Sequence, residues 1–310
     1  MNKPKVTKYF NENSKAWISS SYEGDGYDYP TARLRSEKTI EIISQLFPKG
    51  DAKILDLGCG AGHMAIKLVE KGFRVTGIDN SDSMLSIANE ASAKIKQEHL
   101  GKVEFVQSDI IDNKVTKSSY DVICALGVIG YLPDDASIFR EAHRILKSGG
   151  SFIVSCRNRL FNMVSISDHT LREIECGTAK PLIEEIQSLY QQVPDVDSAN
   201  FISLLSELSN SLTFGTKADL GIRKQNTTPE VTMSIDARQH TPKELCASAE
   251  EHGFKHQAYY GINPHLLMAR LNNLMPPNFY HTISSSLSAL DHLPVALIWS
   301  SVFIGVFTKK

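Results

Sequence analysis

Three alternate glycines and two aspartates are the residues whose types and spacing point most directly to chemistry. Gly58, Gly60 and Gly62 follow an apolar run, where side chains would block a ligand lying across a sheet edge. Asp79 ends the next apolar run, and a carboxylate there can accept hydrogen bonds from both hydroxyls of a ribose. Asp109 follows the third run, where a carboxylate can accept from an exocyclic amine. Together these residues predict a site for a ligand that contains a nucleoside.

These residues lie at the ends of elements that alternate along the chain between residues 53 and 156. Short apolar runs predict strands, and the segments between them have helical spacing. The predicted strands are Lys53–Leu57, Arg74–Ile78, Val103–Gln107, Tyr120–Leu126 and Ser151–Cys156. Repeated strand–helix units predict a doubly wound α/β fold, in which helices cover both faces of a parallel sheet. Such sheets bind ligands beyond the carboxyl ends of their strands, which is where the glycines and aspartates fall.

Capping residues mark where several helices begin. Ser81 can cap a helix that runs toward His99, and Asp134 or Asp135 can open the helix before the fifth strand. Thr241-Pro242-Lys243-Glu244 has the form of a capping box with proline at the first helical position. We therefore expect a helix immediately after Thr241.

The chain divides into four predicted regions. They are an N-terminal helical segment at 1–50, the ligand-binding core at 51–156, a mostly helical cap insertion at 157–240 and a C-terminal completion of the core at 241–310. Within the cap, Pro181–Gln192 and Asn200–Leu212 have helical patterns, whereas Gly215–Thr228 is loop-like. The last region holds candidate strands at His256–Tyr260 and Ala296–Thr308, around a proline-rich insert at 262–294.

Composition excludes several classes of protein. The chain has 310 residues with 42% hydrophobic and 22% charged residues, which is ordinary for a globular protein. A formal net charge of −2 offers no overall basic field, so we expect no nucleic-acid partner. Five scattered cysteines indicate reduced thiols and a cytoplasmic protein. The strongest apolar run, Leu293–Phe307, is shorter than the roughly 20 residues of a membrane span, so we expect a buried strand there.

Three short segments resemble the first motifs of the class I S-adenosylmethionine-dependent methyltransferases: LDLGCGAG, VTGIDNS and VQSDI. The resemblance covers residues 30–156 well and 241–310 loosely, and it implies a seven-stranded sheet whose last strand is antiparallel. The three glycines would then face the methionine part of the donor and Asp79 its ribose. Asp109 and the backbone of Ile110 would hold the adenine, which Asn80 and Met84 would flank. The full donor-binding set implied by the resemblance is Asp56, Gly58, Cys59, Gly60, Gly62, Asp79, Asn80, Met84, Asp109, Ile110, Leu126, Tyr22 and Arg35.

Two other classes of function remain open at this point. The pattern Gly60-x-Gly62-x-x-Ala65 is compatible with an NAD-type oxidoreductase. Asp56 and the second acid, Asp109, favour the methyl donor instead. The third class is a methyltransferase-like protein that binds without catalysis, against which the intact glycine turn and both acids argue.

The acceptor side is expected to form from the N-terminal segment, the end of the fifth strand and the two inserts. Arg157, Asn158, Tyr131 and His240 are the candidate substrate-binding residues, and an anionic acceptor would suit the arginines. His240, Tyr131 and His63 are the candidates for proton transfer, each with a packing or hydrogen-bonding role as the alternative. No metal-ligand spacing is present in the sequence. We expect methyl transfer to oxygen, with nitrogen as the alternative, on a small-molecule or saccharide acceptor.

Overall fold

A seven-stranded mixed sheet organises the molecule. The computed structural model describes residues 3–23, 30–99, 101–192, 237–265 and 277–310. The strands are β1 (Lys53–Leu57), β2 (Arg74–Asp79), β3 (Val103–Gln107), β4 (Tyr120–Leu126), β5 (Leu146–Arg157), β6 (Phe254–Pro264) and β7 (Ser300–Lys309). Their order is β3-β2-β1-β4-β5-β7-β6, in which β1 to β5 pair in parallel and β7 is antiparallel to both neighbours. The predicted fold class is confirmed.

Helices connect the strands, and two helices precede the first strand. They are α1 (Lys3–Ile18), α2 (Thr31–Leu46), α3 (His63–Glu70), α4 (Asp82–Ser92), α5 (Ala136–Ile145), α6 (Phe161–Ser165), α7 (Asp168–Glu175), α8 (Ala179–Tyr190), α9 (Pro242–Glu251), α10 (Pro277–Leu287) and α11 (Ala296–Trp299). Within the described residues, no helix is long and apolar enough to cross a bilayer.

Both faces of the sheet are buried. Leu55 packs in one hydrophobic cluster with Phe139 and Phe152, whereas its neighbour Ile54 packs with Met64 in a second cluster. Successive side chains of a strand point to opposite faces, so these two clusters lie on opposite sides of β1. Burial on both sides explains why the central strands are continuously apolar.

The caps expected from the sequence set the start of the helices that flank the site. The Ser81 hydroxyl accepts from the Met84 N–H at 3.3 Å, and Thr241 and Glu244 form the reciprocal capping box of α9. At α5, Asp134 accepts from the Ser137 N–H at 2.7 Å. Because Asp134 fills this role, the carboxylate of Asp135 is available for other contacts.

Several predicted boundaries were wrong. The strand predicted at His256–Tyr260 extends from Phe254 to Pro264, which lies inside the predicted insert at 262–294. The last strand begins at Ser300 and not at Ala296, because residues 296–299 first form a helical turn, with the Leu297 N–H bonded to the Pro294 carbonyl. The fifth strand begins at Leu146, which pairs with Tyr120 before the register shifts. Helix α4 ends at Ser92, short of His99.

The cap insertion is described only in part. Helices α6, α7 and α8 follow β5, and α8 overlaps the predicted helix Pro181–Gln192. The predicted helix Asn200–Leu212 and the predicted loop Gly215–Thr228 lie outside the described residues. The boundaries of the four regions stay a prediction.

Asn158 joins the end of β5 to the entrance of β7. It is 1% exposed, and its amide nitrogen donates to the carbonyls of Leu297, at 2.5 Å, and Ser300, at 2.8 Å. Its amide oxygen accepts from the Leu160 N–H at 3.1 Å. Buried amide groups bonded in this way hold neighbouring segments in a fixed position.

We expect the Asn158→Ala variant to lower the free energy of unfolding by about 1–3 kcal/mol, because two buried carbonyls and one N–H lose their partner. Urea denaturation of the variant and the wild type measures the difference. Asn89→Ala, on the exposed side of α4, is the matched control and should change little. An unchanged midpoint for Asn158→Ala would show that the side chain does not hold β7.

Candidate functional site

A cavity of about 320 Å³ lies where the carboxyl ends of the five parallel strands meet. Each strand contributes to its lining at or just after its last residue, as parallel sheets with open edges allow. These contributions are Gly58 and Gly60 after β1, Asp79 and Asn80 at β2, Asp109 and Ile110 after β3, Leu126 and Gly127 at β4, and Arg157 at β5. The volume is within the range of small-ligand sites. We call this space the first cavity.

The glycine turn after β1 presents bare backbone to the first cavity. Gly60 has a φ of +53°, and a Cβ built there would meet nothing within 4 Å. A Cβ at Gly58 would lie 2.5 Å from a methyl of Val128, so only glycine fits. Gly62 instead allows the close packing of α3, since a Cβ there would lie 2.5 Å from Phe105. It lies outside the lining of the first cavity.

Asp79 is fixed against this turn. Its Oδ2 accepts from the Gly60 N–H and its Oδ1 from the Ser81 N–H, both at 2.9 Å. A carboxylate has about four acceptor positions, so these two bonds leave room for further donors. Burial raises the pKa of Asp79 above its usual value, while the N–H groups of Ser81 and Gly60 act in the opposite direction. The carboxylate is thus oriented by backbone before any ligand binds.

Arg35 brings a partly buried positive group to the same cavity from α2. Its Nε is buried and has no hydrogen-bond partner among the described residues, and its Nη1 lies 2.6 Å from the position that a Cβ of Gly127 would occupy. Burial lowers the pKa of Arg35, while Tyr22, Tyr131 and more distant Asp56 act to raise it. A guanidinium held in this way is a binding group for an anion that enters the cavity.

Asp56 lies behind the glycine turn and is only 3% exposed. Burial raises its pKa to about 7; the nearby carboxylate of Asp79 adds to this effect, and Arg35 opposes it. Asp56 does not line the first cavity among the described residues. It therefore influences the cavity through its charge.

Of the other predicted donor-binding residues, some line the first cavity and one lies behind the glycine turn. Met84 is 2% exposed and lines the cavity together with Asn80 and Ile110. Asp109 also lines the cavity, and its Oδ1 accepts from the Ile111 N–H at 2.9 Å. Cys59 is buried behind the turn, with its Sγ 2.8 Å from the position of a Cβ at Gly77.

Tyr22 and His63 form a stacked pair beside the glycine turn. Their ring centroids are 4.2 Å apart with an interplanar angle of 19°, and the Tyr22 hydroxyl is 3.2 Å from that of Ser36. Neither ring is part of the cavity lining. This placement packs the N-terminal segment against the start of α3, and it gives His63 no position for proton transfer in the first cavity.

Aromatic and basic residues line another part of the first cavity. Tyr131 lines it and packs edge-on against Phe10 of α1, with ring centroids 6.0 Å apart. Arg157 and Arg238 line the same cavity. We call the part of the first cavity that these residues line its acceptor end.

His240 and Asn158 are not in the first cavity. His240 is 3% exposed, and its Nε2 lies 2.9 Å from Oδ1 of Asp135. Its backbone bridges to Asn158, whose amide is bonded to β7. Contact with a reacting group in the first cavity is thus not supported for either residue. His240 does line a neighbouring cavity of about 650 Å³, which we call the second cavity.

Sequence patterns missed how the N-terminal helix is held over the site. Asn11 on α1 accepts from the Ser81 hydroxyl at 2.7 Å, and its carbonyl accepts from the Ser83 hydroxyl at 3.0 Å. Val6, Phe10 and Trp17 of the same helix thereby line the first cavity. No local signal marks Asn11, because its partners lie some 70 residues away in the chain.

A model of the family described as methyltransferase domain matches residues 48–251, well over half of the chain. The chain belongs to the methyltransferase-domain family. The resemblance drawn from the three motifs is confirmed, and the NAD-type alternative is not supported.

Curated relatives of this methyltransferase-domain protein include the ubiquinone biosynthesis O-methyltransferase of Vibrio parahaemolyticus, which is 29% identical over 160 residues. That match covers 50% of this chain and 63% of the relative. The solved magnesium protoporphyrin IX methyltransferase of Synechocystis PCC 6803, with bound SAH, superposes with a TM-score of 0.55 at 14% identity over the full length of both chains. The [4+2]-cyclase SpnF superposes equally well, at 14% identity over 100% of this chain and 97% of its own. The fold therefore hosts more than one reaction.

The raised pKa of Asp56 predicts a specific dependence of stability on pH. The folded protein holds this proton up to about pH 7, whereas the unfolded chain loses it near pH 4, so the free energy of unfolding falls between these values as pH rises. Asp56→Asn removes that contribution and should flatten the profile. Urea denaturation across this range measures it, with exposed Asp51→Asn as control. Equal slopes for the wild type and Asp56→Asn would contradict the assignment.

Proposed function

We propose that the protein transfers a methyl group from S-adenosylmethionine to a hydroxyl of a small-molecule acceptor. The observation that carries this proposal is the first cavity, which brings bare glycine backbone, two aspartates and a partly buried arginine to one place. The curated O-methyltransferase relatives support oxygen as the acceptor atom. A [4+2]-cyclase of the same fold makes a direct test of the reaction necessary.

The residues of the first cavity fit the parts of such a donor. Asp79 would accept from the ribose hydroxyls with the acceptor positions that Gly60 and Ser81 leave open. Asp109, Ile110 and Met84 would surround the adenine. The Nε of Arg35 has no hydrogen-bond partner in the described part of the chain, and its partly buried guanidinium suits the carboxylate of the methionine part.

The donor supplies a methyl group that its sulfonium already activates. The protein therefore has to position the donor and the acceptor and to remove water from between them. Helix α1 covers the cavity with Phe10 and Trp17, which excludes water from the acceptor end. Tyr131 lies at that end, where it can orient the acceptor hydroxyl for in-line attack, and Arg157 can contact the rest of the acceptor. Tyr131 is the candidate that the geometry retains for contact with the hydroxyl proton.

We also propose the class of acceptor and keep the predictions about nucleic acid and cellular location. A small molecule suits the enclosed first cavity better than a polymer, and a saccharide end remains the alternative acceptor. Absence of nucleic-acid binding and a cytoplasmic location stay predictions from charge and cysteine usage.

Asp79→Ala should weaken the binding of S-adenosylhomocysteine by about 100-fold, because two hydrogen bonds to a charged group are lost. Isothermal titration calorimetry measures the affinity. Asp82→Ala, three residues further on the exposed side of α4, should bind as the wild type does. A wild type that does not bind would overturn the proposed function, and an unaffected Asp79→Ala would overturn the role of this carboxylate.

Arg35→Met should have opposite effects on binding and on stability. Loss of the guanidinium should weaken S-adenosylhomocysteine binding by about 10- to 100-fold. Because a partly buried charge without an ion-pair partner among the described residues is removed, the free energy of unfolding should stay equal or rise. Calorimetry and urea denaturation provide the two readings, with Arg33→Met on the same helix as control. A less stable variant with normal binding would show that Arg35 serves the fold.

Turnover is tested with matched acceptors. Release of S-adenosylhomocysteine from S-adenosylmethionine is followed with a set of phenols, aliphatic alcohols and the corresponding amines. The proposal expects product with hydroxyl compounds and a methyl ether by mass spectrometry. Product from amines alone would assign nitrogen as the acceptor atom, and donor binding with no product from any compound would favour a non-catalytic protein.

A further inference from the structure

The second cavity adjoins the acceptor end of the first, and Arg157, Ala237 and Arg238 line both spaces. Its volume, about 650 Å³, exceeds that of the first cavity. A molecule whose reactive end lies beside Tyr131 can therefore extend past Arg157 into the second cavity. The residues that line the second cavity determine which chemical group the other end of that molecule can have.

Four arginines and three carboxylates line the second cavity among the described residues. Each carboxylate is already paired. Glu173 and Glu244 both contact Arg159, at 2.8 Å and 2.7 Å, and Asp135 contacts Arg238 at 2.6 Å. The four arginines thus exceed the three acids by one positive charge, and two of the arginines take no part in these ion pairs.

The remaining arginines are Arg157 and Arg172. Within the described part of the chain, neither makes an ion pair, although both line the second cavity. Arg172 lies on α7 three residues after His169, and this spacing places both side chains on one helix face, toward the cavity that both line. Arg157 stands at the end of β5, at the junction of the two cavities.

A buried, incompletely bonded group gives a second and independent indication of a ligand. His240 lines the second cavity at 3% exposure, and its Nε2 is bonded to Asp135. Among the described residues, its Nδ1 has no hydrogen-bond partner. Buried polar atoms of this kind are usually satisfied by protein, water or ligand.

Building on the proposed function, we propose that the methyl acceptor carries an oxyanion, a carboxylate or a phosphate, which binds in the second cavity between Arg157 and Arg172. The planar guanidinium group of an arginine matches the oxygens of a carboxylate or a phosphate. Arg159 and Arg238, held by their carboxylates, form the fixed wall against which the anion lies. The distance between the two cavities then selects acceptors that carry the anion at one end and the hydroxyl at the other.

Inorganic phosphate and benzoate are the probes for this site, titrated separately into the wild type at constant ionic strength and followed by NMR of the ligand. The Arg157→Gln/Arg172→Gln double variant should bind the preferred anion at least about tenfold more weakly. Arg74→Gln, an exposed arginine at the opposite end of the sheet, is the control and should bind as the wild type does. Tighter binding of phosphate than of benzoate, or the reverse, identifies the anion. Equal affinity in the double variant and the wild type would overturn the proposal.

Turnover gives the second reading. Phenols that carry a carboxylate or phosphate should turn over faster than the corresponding neutral esters, and the double variant should lose this preference. No preference in the wild type would overturn the proposal. Separate titration of S-adenosylhomocysteine distinguishes this failure from that of the proposed function, because donor binding does not require the second cavity.

Discussion

The contact between the Asp79 carboxylate and the Gly60 N–H joins the end of β2 to the turn after β1, and the donor site depends on it. The turn presents the Gly60 N–H to Asp79 with a positive φ at residue 60, a conformation that glycine adopts without strain. The second bond, from Ser81, ties the same carboxylate to the start of α4, which in turn holds Asn11 of α1. One carboxylate thus positions the floor of the cavity and, through Ser81, its cover.

The ionisable groups of the site lower the stability of the folded protein. Asp56, Asp79 and Arg35 are ionisable groups in or beside a cavity with little access to water, and burial disfavours the charge on each. Arg35 forms no ion pair with a carboxylate among the described residues, and only the electrostatic attraction of Asp56 acts in part against its charge. Such an arrangement is typical of a site that is completed by a charged ligand. A zwitterionic donor with a sulfonium supplies both signs of charge.

On the acceptor side, ion pairs distinguish arginines that stabilise the structure from arginines that are candidates for binding. Arg159 forms ion pairs with Glu173 of α7 and Glu244 of α9, and Arg238 forms one with Asp135 at the start of α5. These ion pairs hold the elements around the second cavity together. Arg157 lies between the two cavities and remains available. The same residue type therefore serves as scaffold at two positions and as candidate ligand at others. The difference follows from neighbours that lie far away in the chain.

Local patterns determined the parallel strands, the glycine turn and the aspartates at the ends of β2 and β3. This was possible because parallel topology brings all carboxyl ends to one edge, so position in a strand already gives position in the site. Tertiary structure alone decided the roles of Asn158 and His240, which were expected at the acceptor. Asn158 bonds to Leu297, 139 residues away, and His240 to Asp135, 105 residues away. Contacts between such distant residues leave no periodic trace in a sequence, since they depend on how separate elements pack.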